Sequence, residues 1–298
     1  MILTSKEVQP SPSLLIPDQD EVIIVPLGDI QYGPPECDID RLKRLIAWAS
    51  QFDNVYFVGM GDYIDFASPS NRGRQKAMQA TGESYDSTTR VQDKGAREDL
   101  EALKRLLAPT RGKWLALLSG HHYWVFEDGT NSDEELAEYL GAEYLGVEGI
   151  VNVKFPKADT KRGTQYFNIW MHHGEGNAQT LAGVLGKPEK MAAAYDEVDV
   201  FLMGHVHKKV TAKFPRVRPI FPVRGGEPKL QERNVIVATT GSFLKAKLVN
   251  VRDGRGRPKS TYVEKGMMKP ATLGVVFVHA RPRYDADGYA SVDLDITA

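Results

Sequence analysis

Five strand-like runs in this 298-residue chain each end in a glycine-containing turn that carries Asp or His. Residues 21–27 are almost continuously apolar and lead into Gly28-Asp29. Residues 54–58 lead into Gly59-Met-Gly-Asp62, and 113–118 into Ser119-Gly-His-His122. Residues 166–171 lead into His172-His173-Gly174, and 198–203 into Gly204-His-Val-His207. Strands buried on both faces read as unbroken apolar runs. In α/β sheets, ligands bind in the crevice beyond the carboxyl ends of the strands. The pattern therefore predicts an α/β fold whose chemistry-bearing residues collect along that edge.

The intervening segments agree. Helices are predicted from Asp38, over 97–107, over 132–140 with Ser132 as N-cap, and over 178–195. Further strand-like runs cover 210–214, 235–240, 273–278 and 290–296. The polar stretch 68–92 reads as a long functional loop or a disordered segment. Residues 1–20, with three prolines, read as an arm on the surface, and 21–298 as one domain. That length suffices for a sizeable core. The single cysteine, Cys37, excludes an internal disulfide framework and fits a reducing cytoplasm. No secretory leader pattern is visible at the start, and no apolar run reaches membrane-spanning length, so no membrane partner is expected.

Six of the seven histidines form three close pairs: His121-His122, His172-His173 and His205/His207. Unpaired imidazoles are costly in a core, so packing explains six rings at three strand ends poorly. Asp29 and Asp62 occupy equivalent places. Imidazole and carboxylate together are the usual ligands of Zn, Fe and Mn.

These blocks, in order over residues 28–207, resemble the five motifs of calcineurin-like metallophosphoesterases: D-x-H, G-D-x-x-D, G-N-H-D/E, H-G or H-x, and G-H-x-H. The resemblance implies a four-layer αββα sandwich with two divalent metal ions at the strand ends. It implies that Asp29, Asp62 and His207 hold one ion. Asp62 would bridge to the second, which takes His205 and either His172 or His173. His122 would stand near the leaving group as a general acid or transition-state stabiliser. Asp65 would orient a ligand or brace its turn.

Three positions depart from the family pattern. Gln31 stands where D-x-H has histidine; its amide oxygen is a harder donor and favours Mn or Mg over Zn. The segment Asp29-Ile-Gln31-Tyr32 also resembles the start of manganese-dependent ADP-ribose/CDP-alcohol diphosphatases. His121 replaces the asparagine of G-N-H and either ligates the second ion or leaves it one ligand short. Tyr123 replaces the acid that follows the catalytic histidine. Mn is the expected metal, with Fe, Zn and Mg as alternatives.

Charge bears on the substrate. Residues 208–269 carry 16 Lys/Arg and 4 Asp/Glu, a net of +12, while the rest carries −13 of the total −1. This asymmetry fits a polyanionic partner or simply solvated hairpins. The hairpin-like stretch 213–233, with Phe214 and Phe221 among six basic residues, would suit single-stranded nucleic acid. Arg72 and Arg74 are candidates for phosphate contact. Ser242, at another strand end, is a candidate to approach the site. The expected activity is hydrolysis of phosphodiester bonds in nucleotides or nucleic acid. The alternatives are a small-molecule phosphatase or nucleotide pyrophosphatase, and a non-catalytic metal-binding scaffold.

Overall fold

The computed structural model describes residues 12–15, 20–66, 69–83, 85–155, 165–176, 178–220, 227–284 and 290–298. In chain order the strands are β1 (Ser13–Leu15), β2 (Val22–Leu27), β3 (Val55–Gly59), β4 (Trp114–Leu117), β5 (Glu143–Tyr144), β6 (Glu148–Phe155) and β7 (Gln165–His172). They continue with β8 (Val200–Met203), β9 (Lys209–Ile220), β10 (Lys229–Ser242), β11 (Gly274–Val275), β12 (Phe277–Tyr284) and β13 (Ala290–Thr297). The helices are α1 (Ile39–Ala49), α2 (Pro69–Ala80), α3 (Asp86–Leu107), α4 (Ser132–Leu140), α5 (Leu181–Ala194) and α6 (Tyr262–Lys265).

The strands form two sheets. One runs β13-β12-β2-β3-β4-β5; the other runs β1-β6-β7-β8-β10-β11, with β9 also paired to β10. Strands β2, β3, β4 and β5 are mutually parallel, as are β7, β8 and β10. The apolar runs of β2, β3, β4 and β8 are buried at nearly every residue, which explains their unbroken hydrophobicity. Side chains of β2 show this alternation: Val25 and Leu27 face α1, α3 and α4, while Val22 and Ile24 face the second sheet. The cluster between the sheets takes Val58 and Met60 from one side and Ile169, Met171, Val200 and Leu202 from the other. A third cluster joins Trp170, Phe201, Val235 and Val237 to Ala192 of α5.

Leu202 is wholly buried in the inter-sheet cluster, two residues before Gly204. Leu202→Ala is expected to cost about 2–5 kcal/mol in urea unfolding, through lost burial and a residual cavity. Leu230→Ala, at a side chain 77% exposed, is expected to stay within about 0.5 kcal/mol.

Several expectations need correction. The polar stretch 68–92 is largely helical, forming α2 and the start of α3; Ser68 itself lies outside the described residues. Helix α3 begins at Asp86 rather than near Arg97, because its buried half, Ala96 to Leu107, propagates an exposed polar half. The N-cap of α4 is Asn131, whose side chain accepts from the amides of Asp133 and Glu134, so Ser132 is already helical. Part of the expected surface arm, Ser13–Leu15, pairs in parallel with β6; residues 1–11 and 16–19 lie outside the described residues.

Candidate metal centre

The turn after each central strand reverses sharply, and the reversal is written in the backbone. Asp29, Gln31, Asp62, His205 and His207 all have φ between 46° and 66°. They are five of the seven non-glycine residues with positive φ among the described residues. Left-handed conformations cost an ordinary L-residue about 1–2 kcal/mol, and such strain gathers where function requires a fixed geometry. Gly120 closes the site from the third turn: a Cβ there would collide with the backbone nitrogen of Asp62. Gly61 leaves room for His173, whose Nδ1 would lie 2.6 Å from an added Cβ.

Asp29 and Asp62 are almost fully buried, and their oxygens are divided between two directions. Asp62 Oδ1 accepts from the backbone amides of His121 and His122, the latter at 3.0 Å. Its Oδ2 receives the Gln31 amide at 3.0 Å and faces His173 Nε2 at 3.3 Å. Asp29 Oδ2 accepts from the His205 amide at 2.9 Å, and Oδ1 faces His207 Nε2 at 3.3 Å. The two 3.3 Å contacts are close in distance but poorly aligned, so Asp29 Oδ1 and His173 Nε2 are buried without a hydrogen-bond partner. Buried polar atoms left unpaired are costly. Their convergence suits donors to a shared cation.

Strand alternation puts the two adjacent histidines on opposite faces. His173 is 2% exposed, its Nδ1 is fixed by the Met60 carbonyl at 2.7 Å, and its Nε2 points at Asp62. His172 lies on the opposite face, stacked on Trp170 with Nδ1 accepting from the Gly174 amide. His121, His173 and His205 then form a nest of edge-to-face rings, with centroids 4.6–5.4 Å apart and His121 Nδ1 3.1 Å from His205 Nδ1.

Two groups of ligand atoms, each spread over no more than 4.8 Å, could hold an ion: His121, His173 and His205, and Asp29, Asp62 and His173. This grouping differs from the partition implied by the motifs. His173 belongs to both groups, and His207 reaches the site through Asp29 rather than as a member of either.

Electrostatics prepares these groups unequally. Burial, joined by the charges of His173 and His205, pushes His121 down to about 4. Burial and His173 likewise lower His205. Burial alone would depress His173, yet the Asp62 carboxylate outweighs it and raises the ring to about 9. Burial would raise Asp62, but His173 and His122 hold its carboxyl well below the usual range. For His122, burial is overcome by the hydrogen bond to Asp65 Oδ1 at 2.7 Å and by the charges of Asp62 and Asp65, so its pKa rises. Asp65 thereby supplies the carboxylate that Tyr123 does not.

The other candidates are placed as follows. Ser242 does approach the site: its hydroxyl donates to the Asp29 carbonyl at 3.1 Å and so braces that turn. Arg74 is exposed on α2 and is absent from the crevice lining; the Arg72 side chain and Phe221 lie outside the described residues. The described parts of the 213–233 stretch pair antiparallel as β9 and β10, in line with a hairpin, but several of their basic groups serve the fold. Lys213 donates to the Leu294 carbonyl, Arg216 caps carbonyls at the end of α5, and Arg233 pairs with buried Asp199. His279 is occupied by Glu21 and Thr297.

One contributor had no sequence signal. Asp133 is completely buried and accepts from the Gly120 amide at 2.9 Å, fixing the loop that presents His121 and His122. Nothing local distinguishes it from Glu134 and Glu135 in the same helical turn.

No protein-family model and no curated protein matches the sequence. Among solved structures the chain is similar to Vps29 of Chaetomium thermophilum, with 11% identity and a TM-score of 0.32 over 94% of this chain and 97% of that one. So distant a likeness carries no weight for the site. Among the described residues no helix is long and apolar enough to cross a membrane.

Proposed function

We propose that the protein is a dinuclear metal-dependent phosphoesterase of the calcineurin-like kind, acting on phosphodiesters. One observation carries the reading: two adjoining donor groups that share His173, in which buried Asp29 Oδ1 and His173 Nε2 have ionic neighbours at 3.3 Å but no aligned hydrogen bond. The order helices, sheet, sheet, helix in the three hydrophobic clusters supports a four-layer αββα arrangement. Following the motif partition, which adds His207 and Gln31 to the two observed groups and shares Asp62 instead of His173, Asp29, Asp62, His207 and Gln31 are assigned to one ion, and Asp62, His173, His205 and His121 to the other. Turning the Gln31 amide would present its oxygen instead of its nitrogen. An amide and two carboxylates favour manganese.

Two bound ions would supply a nucleophile at neutral pH and neutralise charge on the phosphoryl oxygens. The protein's own groups do the rest. The amides of His121, His122 and His205 hold the two carboxylates in one orientation. His122, steadied by Asp65 on the wall of a crevice of about 550 Å³, is placed to donate a proton to the departing alkoxide.

The core test is hydrolysis of bis(p-nitrophenyl) phosphate by purified protein with Mn²⁺ after chelation and reconstitution; absence of metal-dependent turnover would sink the proposal. If His122 is the proton donor, His122→Ala should cost about 10²–10⁴-fold on an alkyl ester. The loss should be far smaller with p-nitrophenolate, which departs unprotonated. Equal losses on both would remove this role. Asp65→Asn should lower the His122 pKa, because the hydrogen bond and charge that raise it are both weakened. A kcat–pH profile should then show its alkaline limb moved to lower pH.

A further inference from the structure

The crevice that opens over the site continues well past the donor groups, and its far wall is not acidic. It is lined by Lys208, Lys265 and Lys269 together with Val263, Met268 and Leu244. Lys208 follows directly on His207, whereas Lys265 lies in α6 and Lys269 just beyond it. The fold thus brings the two ends of the basic 208–269 segment to one surface, while hairpin residues between them are spent on structural contacts. Among the described residues no carboxylate is paired with Lys265 or Lys269, and both are exposed. Lys208 donates to the Ala178 carbonyl at 2.8 Å, which holds its ammonium at the wall. Glu36 also lines the crevice, so the wall is cationic but not uniformly so. Burial, joined by the charge of Lys269, lowers the Lys208 pKa, so these two ammonium groups feel each other, and an anion between them would relieve that repulsion.

We infer that Lys265 and Lys269, with Lys208 beside them, form a subsite for a second phosphate group flanking the ester held at the donor cluster. The inference rests on the phosphoesterase reading and narrows it: the substrate carries two phosphates spanned by an apolar or sugar moiety. Met268 and Val263 offer that moiety an adaptable apolar surface. The flanking phosphate comes either from the next nucleotide of a strand or from a small nucleotide bearing a second phosphate.

Binding measured without metal separates this subsite from catalysis. Labelled decathymidylate is titrated with the full chain in EDTA, read by fluorescence anisotropy. The wild type is expected to bind, and Lys265→Ala/Lys269→Ala to bind at least about tenfold more weakly. Loss of that one phosphate contact should also flatten the slope of log affinity against log salt by about 0.7. Lys190→Ala, at an exposed lysine on α5 outside the crevice, should not weaken binding. Displacement by thymidine 5′-monophosphate assigns the subsite to free nucleotide phosphates; resistance to it assigns a strand. Both lysines are exposed, so an unchanged melting temperature is expected of the double variant; Lys265→Glu/Lys269→Glu should weaken binding further. No binding by the wild type, or equal binding by the double variants, overturns the subsite whatever the hydrolysis assay gives.

Discussion

Asp62→Asn is expected to lower Mn²⁺-dependent hydrolysis of bis(p-nitrophenyl) phosphate by more than about 100-fold and to remove most bound metal. The lower bound follows because losing even an outer partner of a ligand costs about 10–100-fold. Asp62 stands at the centre rather than outside it. Its Oδ1 holds the amides of His121 and His122, and its Oδ2 meets Gln31 and His173. Asparagine can keep the first set of contacts through its own oxygen. Its NH₂ would then face two groups that are themselves donors: the Gln31 amide and, at neutral pH, protonated His173. The fold should survive while the bridging charge is lost. Metal content by elemental analysis, beside a melting curve in EDTA, separates the two effects. A variant that melts normally and still binds and turns over at wild-type levels contradicts the assignment.

Apparent Mn²⁺ affinity is expected to rise about 50-fold from pH 7 to pH 9 and to level off above it, about 100-fold over its pH 7 value. His173, raised to about 9, is protonated at pH 7, and a cation can use its Nε2 only by displacing that proton. Each pH unit below the folded pKa therefore costs about a factor of ten for one displaced proton. The metal-free protein should show the complementary trend. A histidine whose folded pKa exceeds its ordinary value adds stability that is complete below about 6.5 and disappears as pH rises through about 9. Asp133, which burial lifts to about 7, loses stability over a lower window, as pH rises from its ordinary value to about 7. In EDTA the melting temperature should thus fall between pH 7 and 9, and Mn²⁺ should restore more of it at pH 9 than at pH 7. Isothermal titration in buffers of different ionisation enthalpy counts the released proton directly. A pH-independent affinity would remove His173 from the ligand set.

The strands were legible because burial on both faces makes β2, β3, β4 and β8 nearly unbroken apolar runs, β7 is broken only at Asn168, and each leads into a glycine-containing turn. Asp29, Asp62, His205 and His207 were visible for the same reason. Most of what escaped notice depends on neighbours distant in sequence. The exposed half of α3 has no buried face to announce it; its helix is extended from Ala96 onward. Strand β6 alternates buried Val151, Val153 and Phe155 with Asn152 and Lys154, a period-2 signal passed over because it is not an unbroken apolar run and ends in no Asp or His turn. The choice between His172 and His173 turns on which face of β7 meets Met60. Asp133 looks like a helix-start acid until Gly120 is seen beside it. Excess positive charge was plain from 208 to 269, but the chain order hid that Lys208, Lys265 and Lys269 share one wall.

Crystals equilibrated with Mn²⁺ and measured for anomalous scattering test the two-metal centre most directly. The account predicts two peaks about 3.5–4 Å apart. Asp62 should lie between them, with Asp29 and His207 at one and His173 and His205 at the other. Absence of any peak beside Asp62, or a single peak elsewhere on the surface, would contradict it.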